Sequence, residues 1–233
     1  YGYSTDDVGR ALVALIQLID GQKKADEFWK LITTYMSFLE HAQTETGHFH
    51  NFMSYKREFL DEKGSEDTLG RAVYGLGHVV SCPYLSKNIR TLAHTLLSKA
   101  KPEMEKISYP RARAYIICGL YEMLRAGVSP DEFESIFVSR RDAVKYIDSL
   151  VDKETFESVL INHANALVEL YEANSKEDWN WFEPTVTYSN AKLSEALLLA
   201  YNYTKDRVYR KIGLATLDFL TEVQWNGNFF DII

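Results

Sequence analysis

A chain of 233 residues with 46% apolar and 25% charged residues can bury a sizeable core and is too apolar to stay disordered. Its net charge of −7 leaves no basic stripe for phosphates, which excludes nucleic acid as a main ligand. No run reaches the roughly 18–20 apolar residues of a bilayer span and no secretory leader opens the chain, so a cytoplasmic setting without membrane contact is expected.

Few prolines and long runs of apolar residues at helical spacing predict an all-α protein, read as one domain over 1–233. A helix is expected from Thr5, as N-cap, to Asp20, with Leu12, Leu15, Ile16 and Ile19 as its buried stripe. A second runs from Ala25 to Gln43 on Phe28, Leu31, Ile32, Tyr35, Phe38 and Leu39. The connection from Thr44 to Gly64 is long enough to be read as functional. Further helices are expected over Ser65–Ser81, Ser86–Ala100, Arg111–Arg125, Asn190–Tyr203 and Asp206–Val223. The stretch from Ser129 to Asn174 reads as helical, with a candidate break at Val151-Asp152-Lys153. Cys82 and Cys118 stand alone in apolar helices and are expected to be buried free thiols.

One local pattern recurs. Thr5-Asp6-Asp7-Val8-Gly9-Arg10-Ala11 and Ser65-Glu66-Asp67-Thr68-Leu69-Gly70-Arg71-Ala72 each open a helix with an acidic pair, then Arg-Ala and an apolar run. Tyr188-Ser189-Asn190-Ala191 keeps the polar start without the acids. A weaker repeat links Gln43, Gly47 and Phe49 with Gln224, Gly227 and Phe229. These repeats suggest helical hairpins alternating between an inner layer, starting at Thr5, Ser65, Tyr109 and Tyr188, and an outer layer. Ala11, Ala14, Gly75, Gly77, Ala114, Gly119, Ala196 and Ala200 would let the inner helices approach closely. The expected architecture is an α/α toroid, a barrel of antiparallel helical hairpins, with an incomplete or unusual closure.

Like ends of the inner helices would then face one pocket. Glycoside cleavage needs two carboxyl groups, and Glu183, Asp7, Glu66 and Asp67 are the candidates at that end. First-turn acids are also what the helix dipole favours by itself, an explanation that does not reach Glu183. Arg10, Arg71, His50, Asn51, Trp181, Tyr188 and Asn190 are the candidate sugar contacts, with Trp181 as the stacking ring and Trp179 and Phe182 as packing. Arg10 and Arg71 could equally be partners in intrahelical ion pairs. His48-x-His50 lacks a third nearby ligand, so neither a metal nor another cofactor is expected.

The segments Tyr3–Ala11, Gly47–Met53, Gly64–Ala72 and Trp181–Ala191 together resemble a bacterial family of α/α-toroid domains, similar to six-hairpin glycosidases and often fused behind retaining glycosyltransferases. The resemblance spans essentially the whole chain and implies carbohydrate metabolism, an oligosaccharide or sugar ligand, and a fused or associated glycosyltransferase domain. It departs from that pattern at Val8-Gly9, where Asn-Ala would be expected, and at Ser189, where Asp would be. Two functions remain: a glycoside-hydrolysing domain, or a non-catalytic accessory toroid that binds glycan or a partner enzyme. A sugar epimerase would need paired histidines, for which His48 and His50 are the one local pair.

Overall fold

The computed structural model describes residues 2–127 and 153–231. It is mostly helical, as expected. Eight α-helices are described: α1 (Thr5–Gln22), α2 (Trp29–Ala42), α3 (Glu66–Ser81), α4 (Lys87–Met104), α5 (Pro110–Arg125), α6 (Lys153–Asn174), α7 (Ala191–Thr204) and α8 (Arg207–Gln224). A short 3-10 turn, Asp26–Phe28, leads into α2. The predicted break at Val151-Asp152 and the preceding stretch lie outside the described residues.

The odd-numbered helices form a row in which α1 packs on α3, α3 on α5 and α5 on α7. The even-numbered helices back them: α4 lies on α3, α6 on α5, and α8 on α7. Small residues set the spacing of this row. A Cβ on Gly9 would meet the Arg71 carbonyl oxygen at 2.4 Å, and one on Gly77 would meet that of Gly119 at 2.0 Å. Gly9, rather than Ala11 or Ala14, is thus the close-approach residue of α1, and Ala14 is exposed.

Local chemistry explains the boundaries. Ser4, not Thr5, caps α1, its hydroxyl accepting from the Asp7 N–H. Thr5 is buried and donates to the His50 carbonyl at 2.6 Å. The α1 stripe of Leu12, Leu15, Ile16 and Ile19 is buried as its spacing demands. On α2 the buried stripe is Ile32, Met36 and Leu39; Leu31 is exposed and Tyr35 and Phe38 are half-buried, because nothing described covers that side of the helix. Helix α4 continues past Ala100 to Met104 with Pro102 inside its last turn, where the proline forgoes one i→i−4 hydrogen bond close to the helix end. Both cysteines are buried and free.

The long connection after α2 is ordered by its backbone. Strand β1 (Tyr3–Ser4) pairs antiparallel with β2 (Phe52–Met53), in register Tyr3 with Met53 and Ser4 with Phe52. The Asp61 carboxylate accepts from the N–H groups of Asn51, at 2.6 Å, and Phe52, at 2.9 Å. This clamp fastens the loop beside the start of α1 and brings Asn51 to Asp6.

Candidate functional site

Because the inner helices run parallel, their starting ends lie side by side. At the α1 and α3 ends the Asn51 amide donates to Asp6 Oδ2 at 3.4 Å, and its oxygen accepts from the Asp6 N–H at 3.3 Å. Asp67 faces Arg71 one helical turn on, 3.8 Å from its guanidinium. Tyr188, from the loop before α7, donates its hydroxyl to Asp67 Oδ2 at 2.6 Å. Residues 121 apart in sequence therefore meet here. Ser65, Glu66, Asp67, Tyr109 and Tyr188 line a cleft of about 400 Å³ at this point.

Three polar atoms of this cluster, Asp6 Oδ1, Asp67 Oδ1 and Arg71 Nε, are buried without a hydrogen-bond partner among the described residues. Such groups are rare in folded proteins because desolvation without a partner is costly. Burial raises the Asp6 carboxyl above its ordinary value; Arg71 and bonds from Asn51 and Thr68 oppose the rise, while the Asp67 charge adds to it. Burial also pushes the Tyr188 phenol up, reinforced by its bond to Asp67, so its hydroxyl stays a donor. Arg71 lies 5.1 Å from the Tyr115 ring centre, and the Tyr115 hydroxyl reaches Ser189 Oγ at 2.9 Å.

Glu66 also lines the cleft, but its oxygens are engaged. They accept from the backbone N–H of Ser108 (2.8 Å) and Tyr109 (2.6 Å) and from the Ser108 hydroxyl (3.1 Å). Although burial acts the other way, these bonds hold the Glu66 carboxyl below its ordinary value. Glu66 thus fastens the α5 start to α3.

The other candidates lie elsewhere. Asp7 and Arg10 pair with each other on the exposed side of α1. Glu183 is ion-paired to Arg111, whose side chain is fully buried. Arg111 donates further to the Tyr188 carbonyl at 3.0 Å, to Thr187 and to Asn190 Oδ1 at 3.2 Å, and packs against the Tyr188 ring. Asn190 is buried and closes this knot by accepting from the Thr187 N–H. Trp181 is fully buried against Phe182 and Phe219, so it packs the core and does not present a stacking face to the cleft. His50 stacks on Phe59 and bonds the Asp61 carbonyl, which makes it part of the loop clamp.

Sequence reasoning missed two residues that matter. Arg111 stands in the first turn of α5, where the helix dipole disfavours a cation, and that anomaly was the available sign of a distant acidic partner. Asp6 shares the close-approach face of α1 with Gly9 three residues later, whereas Asp7 falls with Arg10 on the outer face. Among the described residues no cluster of His, Cys, Asp and Glu has the makings of a metal site. No helix among them is long and apolar enough to cross a membrane.

Comparison with known proteins adds no assignment: no family model matches the chain, and a search of curated proteins finds no match.

Proposed function

We propose that this chain is a carbohydrate-active domain of the α/α-toroid type, and that its cleft, lined by Asp67 and Tyr188 with Arg71 and Asp6 grouped beside Asp67, holds a sugar. The observation that carries the reading is the trio of buried, unpartnered polar atoms beside a tyrosine-lined cleft. Two carboxylate oxygens that need donors, next to a guanidinium N–H that needs an acceptor, match the paired donor and acceptor character of vicinal hydroxyls. In glycoside hydrolysis or related sugar chemistry, Asp6 is the proton donor, because burial favours its protonated form. Asp67, turned toward Arg71 and Tyr188, is its carboxylate partner as nucleophile or base. Tyr109 and Tyr188, both partly exposed at the cleft, are the surfaces for a sugar ring.

A second reading has its own support. Glu66 and Glu183, two of the four carboxyls expected to do chemistry, are engaged in bonds that hold the fold together. An accessory glycan-binding toroid that serves a fused or associated glycosyltransferase would look the same. Two free thiols suit the reducing cytoplasm in either case.

Calorimetric titration with mono- and oligosaccharides, combined with an assay for released reducing ends, tests both. Binding that falls at least about tenfold in Asp6→Asn and Asp67→Asn, with the melting temperature kept, supports the site. Cleavage lost in the same variants supports hydrolysis. Binding without turnover favours the accessory role, and no saccharide binding at all overturns the proposal.

A further inference from the structure

The turn that follows α2 and the turn that follows α8 are two copies of one device in different settings. In the first, Gln43 and Phe49 form an antiparallel bridge, Gly47 has φ +96°, and the His50 N–H bonds the Ala42 carbonyl at 2.9 Å. In the second, Trp225 and Phe230 form the bridge, Gly227 has φ +99°, and the Asp231 N–H bonds the Gln224 carbonyl at 2.7 Å. The backbone thus matches Phe49 with Phe230, one residue beyond the Phe229 that sequence spacing suggests.

The first turn is seated on the next outer helix. Gln43 Nε2 donates to the Leu96 carbonyl of α4 at 2.9 Å, and a Cβ on Gly47 would meet the Lys99 carbonyl oxygen at 2.0 Å. Phe49 is fully buried. The second turn has no such seat among the described residues: none of their atoms lies within 4 Å of a Cβ on Gly227, and Trp225, Phe229 and Phe230 are 47%, 61% and 54% exposed. Leu214 and Leu217 continue this exposed apolar face along α8.

At the other end of the row a seat stands open. The free side of α2 forms an apolar groove of about 620 Å³, lined by Thr34, Ser37, Phe38 and His41 with Met53 and Arg57 from the β2 loop. It is where a preceding unit's turn would lie on α2, as the Gly47 turn lies on α4. The charges also match: Glu222 and Asp231 flank the exposed turn, and Arg57 edges the groove. A large exposed apolar patch is characteristic of an association surface.

We propose that the chain associates head to tail with a second copy, the Trp225–Phe230 turn of one protomer seating in the α2 groove of its partner. The contact is heterologous: each protomer offers one turn and one groove, so assembly proceeds to a ring or an open file.

The test is sedimentation velocity over a wide concentration range on the wild type, Phe230→Asp and Ser37→Glu, each checked for unchanged helicity and melting temperature. Both substitutions are at exposed positions, and each should weaken association by at least about tenfold. Mixed in equal amounts, the two variants should form dimers and stop there, because only one productive turn and groove remain between them. A wild type that stays monomeric throughout overturns the proposal, whether its turn is solvated or folded into its own groove. So does a wild-type assembly that neither substitution disturbs, or a mixture that fails to pair.

Discussion

Two polar clusters lie at the same end of the helix row and are built on opposite principles. Around Arg111, every group has a partner: Glu183, Thr187, Asn190 and the Tyr188 carbonyl satisfy a guanidinium that is wholly buried. Around Asp6, Asp67 and Arg71, three buried atoms have no hydrogen-bond partner among the described residues. A saturated cluster has nothing left to offer a ligand, and its loss is felt as unfolding. An unsaturated one still has bonds to offer. Tyr188 belongs to both, its carbonyl held by Arg111 and its hydroxyl placed on Asp67, so the first cluster positions part of the second.

The largest expected effect comes from breaking the saturated knot. Arg111→Leu removes the donor shared by Glu183, Thr187, Asn190 and the Tyr188 carbonyl, and should cost about 3–5 kcal/mol. In a chain of this size that lowers the melting temperature by about 6 °C or more, measurable by calorimetry. Glu183→Gln retains an acceptor but leaves the buried guanidinium without its counter-charge, and should cost about 1–3 kcal/mol. If Glu183→Gln removed saccharide turnover without moving the melting temperature, Glu183 would belong to the site and the contrast between the clusters would fail.

Acid should act next, and on the core. Burial lowers His94 to about 4. His163 is likewise lowered to about 4, by burial and then by Arg113 facing it from α5, with the Glu66 charge opposing. Both imidazoles take up protons more readily in the unfolded chain. Their neutral forms therefore contribute full stability above about pH 6.5, and that contribution is lost as the pH falls toward 4. Each removes about 1.4 kcal/mol per pH unit within that window. Urea midpoints measured from pH 7 to 4 should fall accordingly, and less steeply in His94→Asn. A flat profile would mean that neither ring is held neutral by burial.

Much of the architecture was legible because periodicity speaks for itself. The Leu12–Ile19 stripe, the helix start after Ser65 and the alternation of inner and outer helices follow from apolar spacing and capping residues. Glycines at Gly75, Gly77 and Gly119 likewise announced close helix contacts. The grouping of the candidate residues was half legible. Asp67, Arg71, Asn51 and Tyr188 do come together, whereas Glu183 and Asn190 belong to the knot and Trp181 to the core. Residue type cannot separate these roles, since a carboxylate suits a ligand and a buried guanidinium equally well. The partner decides, and Arg111 lies 72 residues from Glu183 in sequence. The α2 stripe differs for a related reason: apolar spacing marks a helix face but does not say what covers it, and no described element packs over Leu31.

The smallest effect is the sharpest test of which acid of the first pair matters. Asp7 and Arg10 are three residues apart, and their side chains are 69% and 59% exposed. Exposed pairs of this kind contribute about 0.2–1 kcal/mol, and the first-turn position of Asp7 adds a dipole interaction of similar size. Arg10→Ala should therefore be nearly silent, and Asp7→Ala should lower the melting temperature by about 1–2 °C at low salt and less at high salt. Neither should change saccharide affinity. Asp6→Asn should do the reverse: removing a partly buried carboxylate relieves desolvation and leaves stability unchanged or raised, while binding is lost. Adjacent acids with opposite consequences would show that helix phase, which carries Asp6 toward Arg71 and Asp7 toward water, sorts the ligand-facing carboxylate from the merely capping one.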